Sequence, residues 1–187
     1  MRSATERAGV AEGIVRAVKA TAELFADDGA IPNNPTLAFL VFPGVLNLEG
    51  DDPAAVCEAV FERNGWSGSW RNGIYPFAHY HSTAHEVLGI CRGEAKVRFG
   101  GSTGVVLTVR AGDVVVIPAG VGHQNLGASA DFLVVGAYPR GQTWDLRRGL
   151  PGDRPRVLDN IARVPLPAAD PVYGADGPLV EHWPHRE

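Results

Sequence analysis

The pair His79 and His81, separated by a single tyrosine, is the first sign of chemistry in this sequence. Side chains alternate along an extended chain, so both imidazoles point to one face. Glu86 follows five residues after His81, enough for a tight loop before a new strand. His123 lies far along the chain, beyond a proline-glycine turn. If neighbouring strands of one small barrel carry all four, three imidazoles and a carboxylate converge. Neutral imidazoles with a carboxylate suit one divalent transition metal, such as Fe, Mn, Ni, Cu or Zn. An octahedral ion so held keeps two positions open for water, substrate or dioxygen, which permits Lewis-acid polarisation or activation of a bound water.

Other side chains stand near this set. His85 adjoins Glu86 and faces the other way in a regular strand. It is either a hydrogen-bonded support or an acid/base group, since an imidazole titrates near neutrality. Tyr75 is a candidate for a substrate pocket at the barrel mouth, and Gln124 and Asn125 either orient a ligand or finish the turn after His123. Lys96 and Arg98 share a strand face, which reads as solvated exterior; turned inward, they would bind an anion. Arg140, Gln142, Trp144 and Asp145 read as docking residues for the tail. His182 and His185, near the C-terminus, read as exposed bystanders.

The elements that must position these residues fall into three stretches. Residues 1–65 read as a mostly helical extension. Ser3 to Glu6 is a capping-box pattern. Val10, Ile14, Val18, Ala22 and Phe25 then recur at helical spacing, up to a stop at Asp27-Asp28-Gly29. Thr36–Phe42 reads as a strand. Asp51-Asp52-Pro53 opens a second helix that Asn64-Gly65 stops. Residues 66–139 carry short β-rich runs: 73–81, 86–91, 95–99, 105–109, 113–117 and 132–138. Glycine-bearing turns separate them, and this spacing indicates a sandwich or barrel. Residues 140–187 hold seven of the 14 prolines, yet include Trp144, Val157, Ile161 and Trp183. That is too apolar for a disordered linker, so the stretch reads as a tail packed over the barrel, with a short helix near 157–162.

Composition narrows the function class. The chain has 187 residues, 45% of them hydrophobic and 20% charged, which fits one domain spanning 1–187. A chain of this size buries a core without staples, and its two cysteines, Cys57 and Cys91, define no disulfide framework. They suit a reducing compartment, so a cytoplasmic location is expected. A net charge of −4 gives no reason to expect nucleic acid or an anionic membrane as partner. No apolar run approaches the ~20 residues that span a bilayer. No helix-turn-helix precedes the barrel, which argues against a DNA-binding regulator.

Gly73-x5-His79-x-His81-x4-Glu86-x6-Gly93 resembles the first motif of the cupin superfamily, the RmlC-like proteins, position for position. Gly112-x5-Pro118-x-Gly120-x2-His123 resembles the second motif up to its histidine. That motif usually ends on Asn four residues later, where this chain has Gly127. The wording around the site, with Pro139-x-Gly-Gln-x-Trp-Asp145, is similar to the bacterial cupins of the YjlB type. The resemblance implies a mainly β double-stranded β-helix, a jelly-roll barrel. It implies His79, His81, Glu86 and His123 as metal ligands at the mouth, and a homodimer. It brings no reaction with it. The expected function is therefore a metal-dependent enzyme, oxygenase- or isomerase-like, acting on a small molecule. The alternative is a non-catalytic sensor or carrier of a small molecule.

Overall fold

A computed structural model describes residues 13–183. Its architecture follows from short strands whose side chains alternate between two apolar surroundings. The strand β4 (Glu86–Arg92) shows this most directly. Leu88 and Ile90 belong to one buried cluster, Val87 and Cys91 to another. Val115 and Ile117 of β7 (Val114–Ile117) face with Leu88 and Ile90, while Val114 and Val116 face with Val87. A sheet covered on both faces needs no polar alternation, and β7 is buried at every position.

Six strands form that sheet in the order β1 (Thr21–Glu23), β2 (Phe39–Phe42), β7, β4, β9 (Leu133–Pro139) and β3 (Trp66–Asn72). Every pairing is antiparallel. A second sheet has the order β6 (Val105–Arg110), β5 (Glu94–Phe99) and β8 (His123–Ala128). β5 alternates cleanly: Ala95, Val97 and Phe99 are buried, and Lys96 is exposed. Phe39, Leu88, Ile90, Val97, Phe99 and Val115 fill the space between the sheets. The other face of the large sheet is covered by α1 (Pro53–Arg63) and by the tail residues Val172, Leu179 and Trp183. Gly89 lets α1 approach, since a Cβ there would lie 3.0 Å from both Cys57 Sγ and the Phe61 ring.

Local signals account for α1: Asp52 caps it, accepting from the Ala55 amide (3.2 Å), and Pro53 stands at its first position. The tail carries the expected short helix, α2 (Arg156–Arg163), and a further turn, α3 (Pro178–His182). No helix among the described residues is long and apolar enough to cross a membrane.

Three expectations are corrected. The first N-terminal helix is not seen over residues 13–28; its capping box lies outside the described residues. Val15 instead bridges Leu46, and β1 pairs with β2. The amides that a helix would have satisfied find main-chain partners on a sheet edge, such as Arg16 N–H to Val45 O at 2.8 Å. Tertiary pairing thus overrides a helical period that Gly9 and Gly13 weaken in the sequence. The N-terminal stretch is accordingly part of the large sheet, through β1 and β2, rather than a helical extension beside it. Residues 73–81 are not a regular strand either: only His79 and Tyr80 make isolated bridges, to His123 and Arg147. The turn after His123 is in fact a strand, β8.

Candidate metal centre and cavity

The bridge between His79 and His123 pulls the 73–81 segment onto the start of β8. The two residues exchange main-chain hydrogen bonds, His79 N–H to His123 O (3.2 Å) and His123 N–H to His79 O (2.9 Å). Their rings lie 4.0 Å apart between centroids. Gly120 N–H donates to His81 O (2.8 Å), so the loop before β8 also holds His81. Gly120 has φ of +93°, and a Cβ there would strike the Asn33 carbonyl. Glu86 opens β4 with the parity of Leu88 and Ile90, and so points into the barrel.

These elements bring four buried groups together. The ligating nitrogens of His79, His81 and His123 all lie within 4.8 Å of one another and could hold a metal ion. Glu86 Oε2 lies 3.3 Å from His81 Nε2 and 3.2 Å from His123 Nε2. The far nitrogens are already engaged. Nδ1 of His79 meets Phe77 O (3.0 Å), Nδ1 of His123 meets Val121 O (3.2 Å), and Nδ1 of His81 meets Asp145 O. A carbonyl oxygen only accepts, so each Nδ1 carries the ring proton and each neutral ring presents an Nε2 lone pair. Glu86 Oε2 has no hydrogen-bond donor of its own. Three nitrogen lone pairs and a carboxylate oxygen therefore converge with no donor among them. A cation suits that arrangement: a proton shared with Glu86, or a metal.

The electrostatics agree. Burial holds His79 neutral, with a pKa lowered to about 3, and the neighbouring His123 adds to this. Burial also opposes charge on His81, but the Glu86 carboxylate outweighs it and raises that imidazole above its ordinary value. Burial opposes charge on Glu86 too; His81 and His123 outweigh it and hold the carboxyl below the usual range.

A cavity of about 360 Å³ opens above this cluster, lined by His79, His81, Glu86 and His123 and by Trp70, Ile74, Tyr75, Leu88, Tyr138 and Trp144. Tyr138 accepts from Trp70 Nε1 at 2.7 Å. Burial first, and the Glu86 charge second, push its hydroxyl pKa well up, so it keeps its proton. Gly136 makes room for Trp70, whose indole lies where a Cβ would stand.

The remaining predicted residues divide. Tyr75 lines the cavity, edge-on to His79 at 5.2 Å. Gln124 does not; its amide donates to Pro76 O (3.0 Å). The Asn125 side chain accepts from Gly127 N–H (2.8 Å), at the irregularity in the pairing of β8 with β5, and does not line the cavity. His85 is 0% exposed on the opposite face of β4, 4.8 Å from the Trp183 ring. Its Nδ1 accepts from the Ala119 amide (2.9 Å), so an acid/base role in the cavity has no route. Arg98 is half-buried and Lys96 exposed, and neither enters this cavity. His182 is exposed, whereas His185 lies outside the described residues.

Sequence reasoning undervalued Asp145. Its carboxylate accepts from Ser82 N–H (2.6 Å), Ser82 Oγ (2.6 Å) and Arg147 Nε (2.8 Å), while its carbonyl takes the His81 ring proton. The tail therefore orients an imidazole as well as docking, and it delivers Trp144 to the cavity wall. The Trp-Asp step just beyond the last strand was the available signal.

Comparison with known proteins places this geometry among relatives. The pattern of the Cupin family matches residues 71–138. Over 159 residues the chain is 44% identical to the uncharacterized protein YjlB of Bacillus subtilis, covering 85% of this chain and 93% of that protein. Among solved structures, it is similar to acireductone dioxygenase from Bacillus anthracis with a cadmium ion in its active centre. That likeness has a TM-score of 0.38 and 14% identity, over 79% of this chain and 91% of the other. It is similar also to an 11S globulin from Wrightia tinctoria, with a TM-score of 0.35 and 19% identity, over 43% of this chain but only 22% of that longer one. Both structural likenesses are loose.

Proposed function

Since this chain belongs to the cupin family, with YjlB a relative along most of its length, we propose that His79, His81, Glu86 and His123 hold one divalent transition metal, and that the protein is a metal-dependent enzyme acting on a small molecule. The observation that carries this is the convergence of three Nε2 lone pairs and one donor-less carboxylate oxygen on the floor of a cavity. Four buried acceptors with no protein donor are costly left unpaired, and a cation among them meets all four at once. The donor set of nitrogens and one carboxylate fits Fe, Mn, Ni, Cu or Zn. Such an ion, bound there, supplies Lewis acidity and, if redox-active, electron transfer.

The chain's own groups do the rest. The carbonyls of Phe77, Val121 and Asp145 fix the three rings and their tautomers. Tyr138 offers a phenol proton inside the cavity, and Trp70, Leu88 and Trp144 exclude water from it. Such a centre suits an oxygenase- or isomerase-like reaction. Buried reduced thiols at Cys57 and Cys91 support a cytoplasmic setting, and the habit of cupins supports a homodimer, which sedimentation would establish.

The test is metal content by elemental analysis after expression in supplemented medium. Wild-type protein is expected near one metal per chain, and His81→Ala below about a tenth of that. Wild-type protein that takes up no metal at neutral pH sinks the proposal.

A further inference from the structure

The walls of the cavity say more about its occupant than the floor does. Among the described residues, the large apolar side chains left exposed include two aromatics, Tyr75 (46%) and Trp144 (43%), and both line this cavity. Folding gains little from an exposed aromatic ring, and two at one mouth form a recognition surface. Each belongs to a pair. Tyr75 stacks on Phe77, with centroids 4.9 Å apart and planes 15° apart. Trp144 lies nearly parallel to Tyr138, with centroids 6.1 Å apart and planes 20° apart. Each pair stands against a different imidazole, Tyr75 edge-on to His79 (5.2 Å) and Trp144 edge-on to His81 (5.5 Å).

Charge narrows the class further. Arg71 is the one Lys or Arg in the lining, and its guanidinium is already committed. It donates to both carboxylate oxygens of Glu58 (2.8 and 2.7 Å) and to Asp52 (3.1 Å). The lining side chains therefore offer no free cation to a carboxylate or phosphate, so any pull on an anion comes from the ion proposed at the floor, offset in part by Glu86. Tyr138, already accepting from Trp70, retains a proton to donate to a neutral oxygen.

We propose that the cavity takes a flat, uncharged aromatic molecule bearing a hydroxyl, a phenol in chemical class. Its ring sits against the Tyr75 and Trp144 pairs, and its oxygen turns toward the imidazoles and the Tyr138 hydroxyl. The destination of the oxygen rests on the metal-centre reading; recognition of the ring rests on the walls alone.

The experiment is calorimetric titration of zinc-loaded protein with phenol, cyclohexanol and benzoate, zinc stoichiometry being measured first. Phenol is expected to bind about tenfold more tightly than cyclohexanol, its non-aromatic counterpart, and more tightly than benzoate. Trp144→Ala and Tyr75→Ala are each expected to weaken phenol binding by about fivefold while leaving zinc stoichiometry unchanged. Phenol binding no tighter than cyclohexanol, or benzoate binding best, overturns the proposal. So does unaltered phenol affinity in both variants. If the protein takes up neither zinc nor any of the other divalent transition metals, the metal reading falls by itself; the same titrations on metal-free protein then decide the aromatic preference.

Discussion

Each of the three imidazoles spends its Nδ1 proton on a main-chain carbonyl, and that division decides which substitutions are informative. Removing a ring removes a proposed nitrogen ligand together with its main-chain anchor; Glu86→Gln removes the carboxylate charge while leaving the three rings in place. Because Glu86 outweighs burial at His81, that ring protonates before His79 as pH falls, and burial keeps His79 neutral down to about 3. In metal-free Glu86→Gln, burial at His81 is then opposed only by the smaller influence of Asp145. Its titration, followed by proton NMR of the imidazole, is expected to move from above the ordinary value of 6.5 to below it. Zinc affinity of the wild type, measured against a competing chelator, is expected to fall by ~tenfold per pH unit below the His81 pKa, one proton displacing the ion. A His81 signal unmoved in the variant would remove Glu86 from this role.

At the scale of elements, the site is a joint. β4 supplies Glu86, the bridged segment 79–81 supplies two imidazoles, β8 supplies the third, and the tail closes the fourth side through Asp145 and Trp144. Asp145→Ala deletes four hydrogen bonds at a half-buried carboxylate and leaves the Ser82 amide without its acceptor. A loss of about 1–2 kcal/mol in urea unfolding is expected, together with weaker zinc binding from a loosened His81. Asp145→Asn, which keeps an acceptor, is expected to recover part of both. If stability drops while zinc affinity is untouched, the tail docks without orienting the site. At this scale the strands from 86 to 117 were legible from their alternation and glycine turns. The edge strand β1 was not, because its residues also fit a helical stripe and only pairing with β2 chooses between the two. β8 was hidden for a related reason: its Gln, Asn and Gly read as turn residues, yet main-chain pairing with β5 holds them extended.

Across the whole molecule, the large sheet is the shared wall of two cores, and His85 marks where they meet the tail. Its amide donates to Gln142 Oε1 (2.9 Å), Gln142 donates onward to Pro165 O (2.7 Å), and its ring packs on Trp183. Burial lowers its pKa to about 3 in the folded protein, against about 6.5 when unfolded. Below pH 6.5 the unfolded chain therefore binds the extra proton, so stability contributed by neutral His85 is lost as pH falls from 6.5 toward 3. The slope approaches 1.4 kcal/mol per pH unit at most. His85→Gln, which keeps an acceptor for the Ala119 amide, is expected to flatten the pH dependence of unfolding between 6.5 and 4.5. An unchanged slope would show that His85 is not among the groups that set it.

The sequence by itself determined the four candidate ligands and their family, since His-x-His, Glu and a distant His at fixed intervals from turn glycines leave few alternatives. Local chemistry likewise determined α1, with Asp52 and Pro53 at its start, and the alternating strands. Only the tertiary structure decided what surrounds the set. Which way His85 faces, that Asp145 reaches back across more than sixty residues to His81, and that Tyr75 and Trp144 meet at one mouth are long-range facts. No periodicity encodes them, because they depend on how two sheets close and where the tail crosses. Four acceptors in sequence are only polar residues; buried together without a protein donor, they become a candidate site for a cation.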